Sequence, residues 1–226
     1  LAQLRIIMLS PESVTSSSNR MKTKLIHFLR HAHGYHNEAG EADRSQYLRE
    51  DLEDAEISEL GRSQCRDFCD EISKSTSMNN ASLLVVSPMR RTLQTARLCF
   101  PHMVGKVPWI ALECVREQTG LHPCDRRLPI SHLSSYCDIV DFGEITQDRD
   151  PLYHLYDERE PADDLEKRAR EFVRWIENRS ESEIIVVSHS AFLRVLFTRV
   201  LEPGDSQQFV RFQNCEMRTY RMNTVV

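Results

Sequence analysis

The chain has 226 residues, with 29 Lys+Arg against 34 Asp+Glu, a formal net charge of −5. That length and a 40% hydrophobic content suffice for a buried core, which excludes a disordered chain and a small disulfide-stapled scaffold. The acidic balance argues against a general nucleic-acid or membrane-surface binder, no apolar run reaches transmembrane length, and 7 glycines argue against a glycine-rich phosphate loop.

Residues 1–20 read as a poorly defined N-terminal extension, a short apolar start followed by a Ser-rich polar tract. They lack the long apolar stretch of a signal peptide; a targeting segment, a tail and a surface strand all stay open. Residues 21–226 are expected to form one catalytic domain. Lys24–Leu29 (KLIHFL) is a buried strand that ends in the polar turn Arg30-His31-Ala32-His33-Gly34. Residues 38–56 are charged and aperiodic and predict a loop. Ser58 predicts the N-cap of a helix to about Ser73, with Leu60, Cys65, Phe68, Cys69 and Ile72 at helical spacing. Leu83–Val86 (LLVV) is a second buried strand, and Ser87-Pro88 predicts the start of the next helix. Trp109–Cys114 is a third strand candidate. Residues 118–160, rich in Pro, Asp, Arg and Tyr, predict a substrate-side excursion. Beyond Pro161, Leu165, Ala169, Phe172, Val173 and Ile176 mark an amphipathic helix. Ile184–Val187 (IIVV) is a fourth buried strand, Ser190 is expected to cap a last core helix through Leu201, and Met217–Met222 predicts an edge strand.

Short β-branched strands alternating with amphipathic helices predict an α/β fold, a three-layer sandwich with a mainly parallel central sheet and helices on both faces. In such sheets ligands bind at the carboxyl ends of the strands. Here those ends carry Arg30-His31, Ser87 to Arg91, Glu113 to Glu117 and Ser188-His189-Ser190. Two guanidiniums suit phosphate oxygens, and a helix opening after His189 is expected to aim its first amides at the same anion. A neutral imidazole is a nucleophile near pH 7, and a carboxylic acid supplies the leaving group's proton. Such a site suits a phosphate monoester dianion and requires no metal or other cofactor. The seven cysteines, without a CxxC pair, are expected to be free thiols in a reducing, cytoplasmic compartment. Cys65 and Cys69 are expected core filler.

Four segments in order resemble the histidine phosphatase superfamily, the phosphoglycerate mutase-like fold. Arg30-His31 followed by Asn37 is similar to its opening motif. Ile57-Ser58-Glu59-Leu60-Gly61 resembles its LTxxG helix start, Ser87 to Ala96 its SPxxRxxQTA segment, and Val187-Ser188-His189-Ser190 its VSHG segment. The resemblance implies that His31 is the phosphorylated nucleophile, that Arg30, Arg91 and His189 hold the phosphate, and that Asn37 lines the pocket. Val115-Arg116-Glu117 looks like the family's LRE element, which makes Glu117 the general acid, with Glu113 as the alternative nearer the strand end. Ser190 stands where the family usually has glycine, and its backbone amide is expected on the phosphate. Segment 117–127 resembles a branch of plant and fungal members, which makes Arg126 and Arg127 candidates for a second anionic group of the substrate. The expected partner is a small-molecule phosphate ester.

The implied activity is a phosphomonoester hydrolase working through phosphohistidine, with mutase-type phosphoryl transfer as the alternative. Two readings come from other classes. His31, His33 and His36 read as HxHxxH, similar to the zinc-binding motif of metallo-β-lactamases. The same fold also serves a non-catalytic phosphate-ester binding module.

Overall fold

The computed structural model describes residues 5–6, 21–74, 78, 80–201 and 211–225. Apart from residues 5–6, the expected N-terminal extension lies outside them. The described elements in chain order are β1 (Arg5–Ile6), β2 (Met21–Arg30), α1 (Tyr35–Ala42), α2 (Glu59–Ser73), β3 (Leu83–Val86), α3 (Arg90–Cys99), β4 (Trp109–Ala111), α4 (Ile130–Tyr136), α5 (Ala162–Glu177), β5 (Glu183–Ser188), α6 (Ser190–Val195) and β6 (Met217–Val225). Short 3₁₀ turns lie between them, and a π-helical turn, Leu196–Leu201, follows α6.

The expected α/β sandwich is present. A six-stranded sheet runs in the order β1-β6-β2-β5-β3-β4. Strands β2, β5, β3 and β4 are mutually parallel, while β6 is antiparallel to β2. The strand sequences alternate between two cores, as a period of two requires. Phe28, Leu83, Val85, Ile184 and Val186 pack with α5 and α6 on one face. Leu29, Leu84, Val86, Ile185 and Val187 pack with α2, α3 and α4 on the other. Both faces are covered, so these strands read as unbroken apolar runs.

Three local expectations are corrected. Met217–Val225 is not an edge strand; β6 lies between β1 and β2 and matches nine residues of β2 in register. Residues 38–56 are not a plain loop: α1 extends to Ala42, and 3₁₀ turns span Arg44–Leu48 and Glu50–Leu52. The weak apolar pattern hides them because Leu52 is their buried anchor, with Tyr47 packed beside it. Ser87-Pro88 does not open α3, whose N-cap is Met89. Ser87 keeps its hydroxyl for a distant partner described below.

Topology places the site. The carboxyl ends of β2, β5, β3 and β4 lie side by side, so the residues after them become neighbours in that order. Antiparallel β6 delivers the segment before it, residues 211–216, to the same end of the sheet.

Candidate active site

His31 follows β2 and is 2% exposed. Its Nδ1 lies 2.8 Å from the Ala32 carbonyl oxygen. A carbonyl only accepts, so Nδ1 carries the proton and the lone pair is left on Nε2. Burial, then the charges of Arg91 and Arg30, hold its pKa well below the usual imidazole value. The ring is therefore neutral near pH 7.

His189 follows β5, the strand adjacent to β2, and its ring meets His31 edge-on with centroids 5.1 Å apart. Its Nε2 is 2.7 Å from Ser87 Oγ, which follows β3, the next strand over. Ser188 Oγ donates to the Val115 carbonyl at 2.7 Å, tying β5 to the turn after β4. His36, from the first turn of α1, lies 5.5 Å from His31 on another side. Burial, with Arg91 next, depresses both His189 and His36 well below the ordinary histidine value.

The two arginines are anchored through part of each guanidinium. Arg30 Nη1 donates to the Phe212 carbonyl at 2.8 Å. Burial lowers the Arg30 pKa to about 10; neighbouring Glu117 works against the shift, and Arg211 and Arg91 add to it. Arg91, fully buried, donates to the Cys124 carbonyl at 2.6 Å and to Asp125 Oδ1 at 3.1 Å. Arg30 Nε, Arg91 Nε, His36 Nδ1 and His189 Nδ1 are buried with no hydrogen-bond partner among the described residues. Uncompensated buried donors are costly, and a cluster of them marks a place built for an anion. Asn37 Oδ1 accepts from Gly34 N at 3.0 Å, and Asn214 Nδ2 donates to the His31 carbonyl at 3.1 Å.

Glu117 lies where the turn after β4 meets α6. Its Oε1 accepts from Gln118 N and Ala191 N, both at 2.9 Å, and from Phe192 N at 3.3 Å. Oε2 has a single weaker contact, Ala191 N at 3.3 Å. Arg168 fixes the backbone behind the turn, donating to the carbonyls of Cys114, Arg116 and Glu117. The Ala191 and Phe192 amides of α6 thus go to the Glu117 carboxylate, where the helix start was expected to aim its amides at the anion. Ser190 is likewise not the cap: His189 is the N-cap, and the Ser190 hydroxyl accepts from Arg211 Nε at 2.7 Å.

Other expected residues are placed elsewhere. Glu113 pairs with Arg116 at 2.9 Å and with Arg127 at 2.5 Å. Arg127 is buried and donates to the carbonyls of Gln147, Asp148, Arg149 and Leu128, pinning the 118–160 excursion from inside. Arg126 is held by Glu53 and Glu50 and lies over the Tyr153 ring. Neither arginine is brought to the pocket, because acids and carbonyls distant in sequence claim both. His33 turns its Nδ1 to Ser58 Oγ at 2.7 Å. Among the described residues, the clusters able to hold a metal ion are Cys65-Cys99-Cys215 and His122-Cys124-Asp125, so His31, His33 and His36 do not converge as three zinc ligands.

Sequence reasoning missed four contributors. Ser87 orients His189. Asp125 bridges Arg91 and Arg159, accepting from Arg159 Nη1 at 2.5 Å. Arg159 reaches His122 Nδ1 at 2.9 Å, and Arg211 stands beside Arg30. Ser87 and Asp125 lie inside segments that carry the resemblance, yet their roles are not announced there, since the partners they hold are far away along the chain.

A phosphoglycerate mutase-like protein of Arabidopsis thaliana is 34% identical, over 88% of this chain and 84% of that protein. Phosphoglycerate mutase-like protein 1 of the same plant is 32% identical, over 88% and 80%. The fold is shared with a mycobacterial glucosyl-3-phosphoglycerate phosphatase, at a TM-score of 0.57 and 16% identity over 88% of this chain and 91% of that one. A phosphoserine phosphatase from Entamoeba histolytica, crystallised with 3-phosphoglyceric acid, gives a TM-score of 0.51 and 18% identity over 87% and 89%. Among the described residues no helix is long and apolar enough to cross a membrane. With its family model matching residues 26–224 and its relatives aligned along most of both chains, the chain belongs to the histidine phosphatase superfamily (branch 1).

Proposed function

We propose that the protein is a phosphomonoester hydrolase that forms a phosphohistidine on His31 without a metal ion. The observation that carries this reading is the fixed tautomer of His31. With Nδ1 committed to the Ala32 carbonyl, the lone pair is on Nε2, and around this ring stand Arg30, Arg91 and His189, each with a buried nitrogen that lacks a partner among the described residues. A phosphoryl group at Nε2 gives those donors their acceptors.

In the first step Nε2 attacks phosphorus and the ester P–O bond breaks. Glu117 protonates the departing oxygen. Three of its four contacts fall on Oε1, so Oε2 is the oxygen suited to carry that proton. We assign Ser87 as the donor to His189 Nε2, 2.7 Å away, an arrangement that puts the His189 proton on Nδ1 and makes that nitrogen a phosphoryl donor. In the second step water attacks the phosphohistidine, Glu117 takes its proton, and phosphate leaves with His31 neutral again. Arg30, Arg91, His189 and the Asn37 amide stabilise the equatorial oxygens; losing one such donor costs about 3 kcal/mol of barrier. Among proteins of this fold, the two structural neighbours described above are named as phosphatases.

The test is turnover of p-nitrophenyl phosphate in EDTA, with trapping of an acid-labile phosphoprotein. Wild type is expected to turn over and to label; His31→Ala is expected to do neither. Activity abolished by EDTA and restored by zinc overturns the reading. Inertness over a broad panel of phosphate esters would establish a binding module, and transfer to 3-phosphoglycerate without net phosphate release would establish a mutase.

A further inference from the structure

Behind the nucleophile, on the α2/α3 face of the sheet, three thiols from separate parts of the fold converge. Cys65 comes from α2, Cys99 from the last turn of α3, and Cys215 from the turn before β6. All three are buried, at 0%, 0% and 3% exposure. Their sulfurs lie within 4.8 Å of one another, and Cys99 Sγ is 3.8 Å from Cys215 Sγ. Their surroundings are apolar, with Phe68, Ala96, Phe100 and Met217 in the same cluster. Cys215 holds a left-handed backbone with φ +58°, a conformation a non-glycine residue rarely adopts. Its amide is directed at the carbonyls of Arg30 and His31, at 3.2 and 3.3 Å. The cluster is therefore braced against the turn that carries the nucleophile.

We propose that Cys65, Cys99 and Cys215 form a three-sulfur site for a single copper(I) ion. At a metal–sulfur distance of about 2.3 Å, three sulfurs around a trigonal ion stand about 4.0 Å apart. The 3.8 Å Cys99–Cys215 separation already meets that spacing, and the third sulfur must close by less than about 1 Å from the 4.8 Å limit. The donor set selects the ion. Thiolates favour soft cations such as copper(I) and zinc, but structural zinc takes four ligands. Among the described residues the ligand cluster ends at three sulfurs, and the apolar surroundings provide no carboxylate or imidazole to complete a tetrahedron. A d¹⁰ monovalent ion accepts three-coordination, which is what a three-sulfur cluster offers.

The three thiols are also hydrogen-bonded to one another. Hydrogen bonds from Cys215 and Cys99 pull the Cys65 thiol pKa down, while burial and the bonds it gives to the other two sulfurs push Cys99 up. The three sulfurs thus share thiol protons among themselves. A bound copper(I) replaces those protons, which leave to solvent, and no sulfur or metal is oxidised or reduced. Binding is therefore expected to tighten as pH rises.

The test uses the full chain, reduced and anaerobic, given one equivalent of copper(I) and then challenged with a copper(I)-specific chelator. Wild type is expected to retain one copper per chain by native mass spectrometry, with three sulfurs at about 2.3 Å by X-ray absorption. Cys69→Ala, which removes a thiol outside the trio, is expected to retain it equally. Cys65→Ala and Cys215→Ala, their folding checked by circular dichroism, are expected to lose at least tenfold in affinity. Failure of the wild type to retain copper overturns the proposal, whatever the variants do. So does equal retention by the trio variants, or preferential retention of zinc. A loss of two hydrogens with no metal held establishes a disulfide in its place. None of these readouts depends on phosphatase turnover.

Discussion

Removing the Asp125 carboxylate should loosen both the protein and its phosphate pocket. Asp125 is 5% exposed and accepts from Arg91 through Oδ1 and from Arg159 through Oδ2. The Arg91 pair is buried on both sides, with side-chain exposures of 1% and 6%. Breaking such a pair by deleting one partner leaves an uncompensated charge and costs about 3–5 kcal/mol. The Arg159 pair is more open, with a 28% exposed guanidinium, and solvent screening limits it to about 0–1 kcal/mol. Arg91 keeps its bond to the Cys124 carbonyl, which places the expected loss for Asp125→Ala near the lower end, at about 3–4 kcal/mol. That is a large share of a typical total of about 5–15 kcal/mol. Asp125→Asn retains an acceptor for Arg91 and should cost roughly half as much. Urea unfolding at pH 7.5, followed by circular dichroism, measures both variants. Turnover of the folded fraction should fall as well, because Arg91 loses the contact that orients its free Nε. A cost below about 1 kcal/mol for Asp125→Ala would refute the reasoning, since it would equate a buried pair with a surface one.

Further outcomes test separate parts of the structure. Glu117→Gln should lower turnover of alkyl phosphates by about 10²–10⁴, and that of p-nitrophenyl phosphate much less, because p-nitrophenolate leaves without a proton; equal losses on both substrates would remove Glu117 as the acid. Gly120→Ala should destabilise by at least about 2 kcal/mol, because φ is +110° and a Cβ would lie 1.9 Å from the Glu158 carbonyl oxygen; calorimetry reads the shift. Stability should fall as pH drops below 6.5, the unfolded histidine value. His31, His36 and His189 stay neutral when folded, so below that pH the unfolded chain binds up to three more protons. Each contributes about 1.4 kcal/mol per pH unit. Asp54, whose folded pKa is raised to about 6 by burial, takes up a proton on the folded side and offsets one of them. The net slope near pH 5 should reach at least about 3 kcal/mol per unit in a phosphate-free buffer, with His27 and His122, also lowered by burial, adding to it; a flat profile from pH 7.5 to 5 would contradict the buried neutral state of the three rings.

What was legible in the sequence depended on whether the information was local. Leu83–Val86 and Ile184–Val187 announced their strands because burial on both faces demands unbroken β-branched runs, and Ser58 announced α2 because its hydroxyl accepts from Gly61 N three residues on. Once these strands are parallel and adjacent, their carboxyl ends must gather, so His31, Arg91 and His189 were placeable as a group. Pairing was not legible. Arg127 and Arg91 are both arginines in polar segments, yet one pins the excursion and the other faces the pocket, because Glu113 and Asp125 lie where the fold brings them. Ser87-Pro88 obeyed the rules for a helix start and failed, because a hydrogen bond to His189, more than 100 residues away, claimed the hydroxyl.

The scarcity of glycine and the use of α6 are two sides of one arrangement. A glycine-rich loop holds phosphate with backbone amides, and a helix start offers the same donors. In this chain the helix start is spent on a carboxylate: Ala191 and Phe192 amides fix Glu117, and the Gln118 amide joins them. The anion is then met largely by side chains, and around His31 the buried nitrogens without partners among the described residues are those of Arg30, Arg91, His36 and His189. Such donors need orienting, which is what the Phe212, Cys124 and Ala32 carbonyls, Ser87 and Asp125 provide. A side-chain pocket therefore depends on a second layer of contacts drawn from every strand end. That dependence explains how a chain of net charge −5 sustains a concentrated positive site: Asp125 holds Arg91 in place and Glu117 lends its charge to Arg30, while the Nε donors of both arginines have no partner among the described residues and remain for the anion.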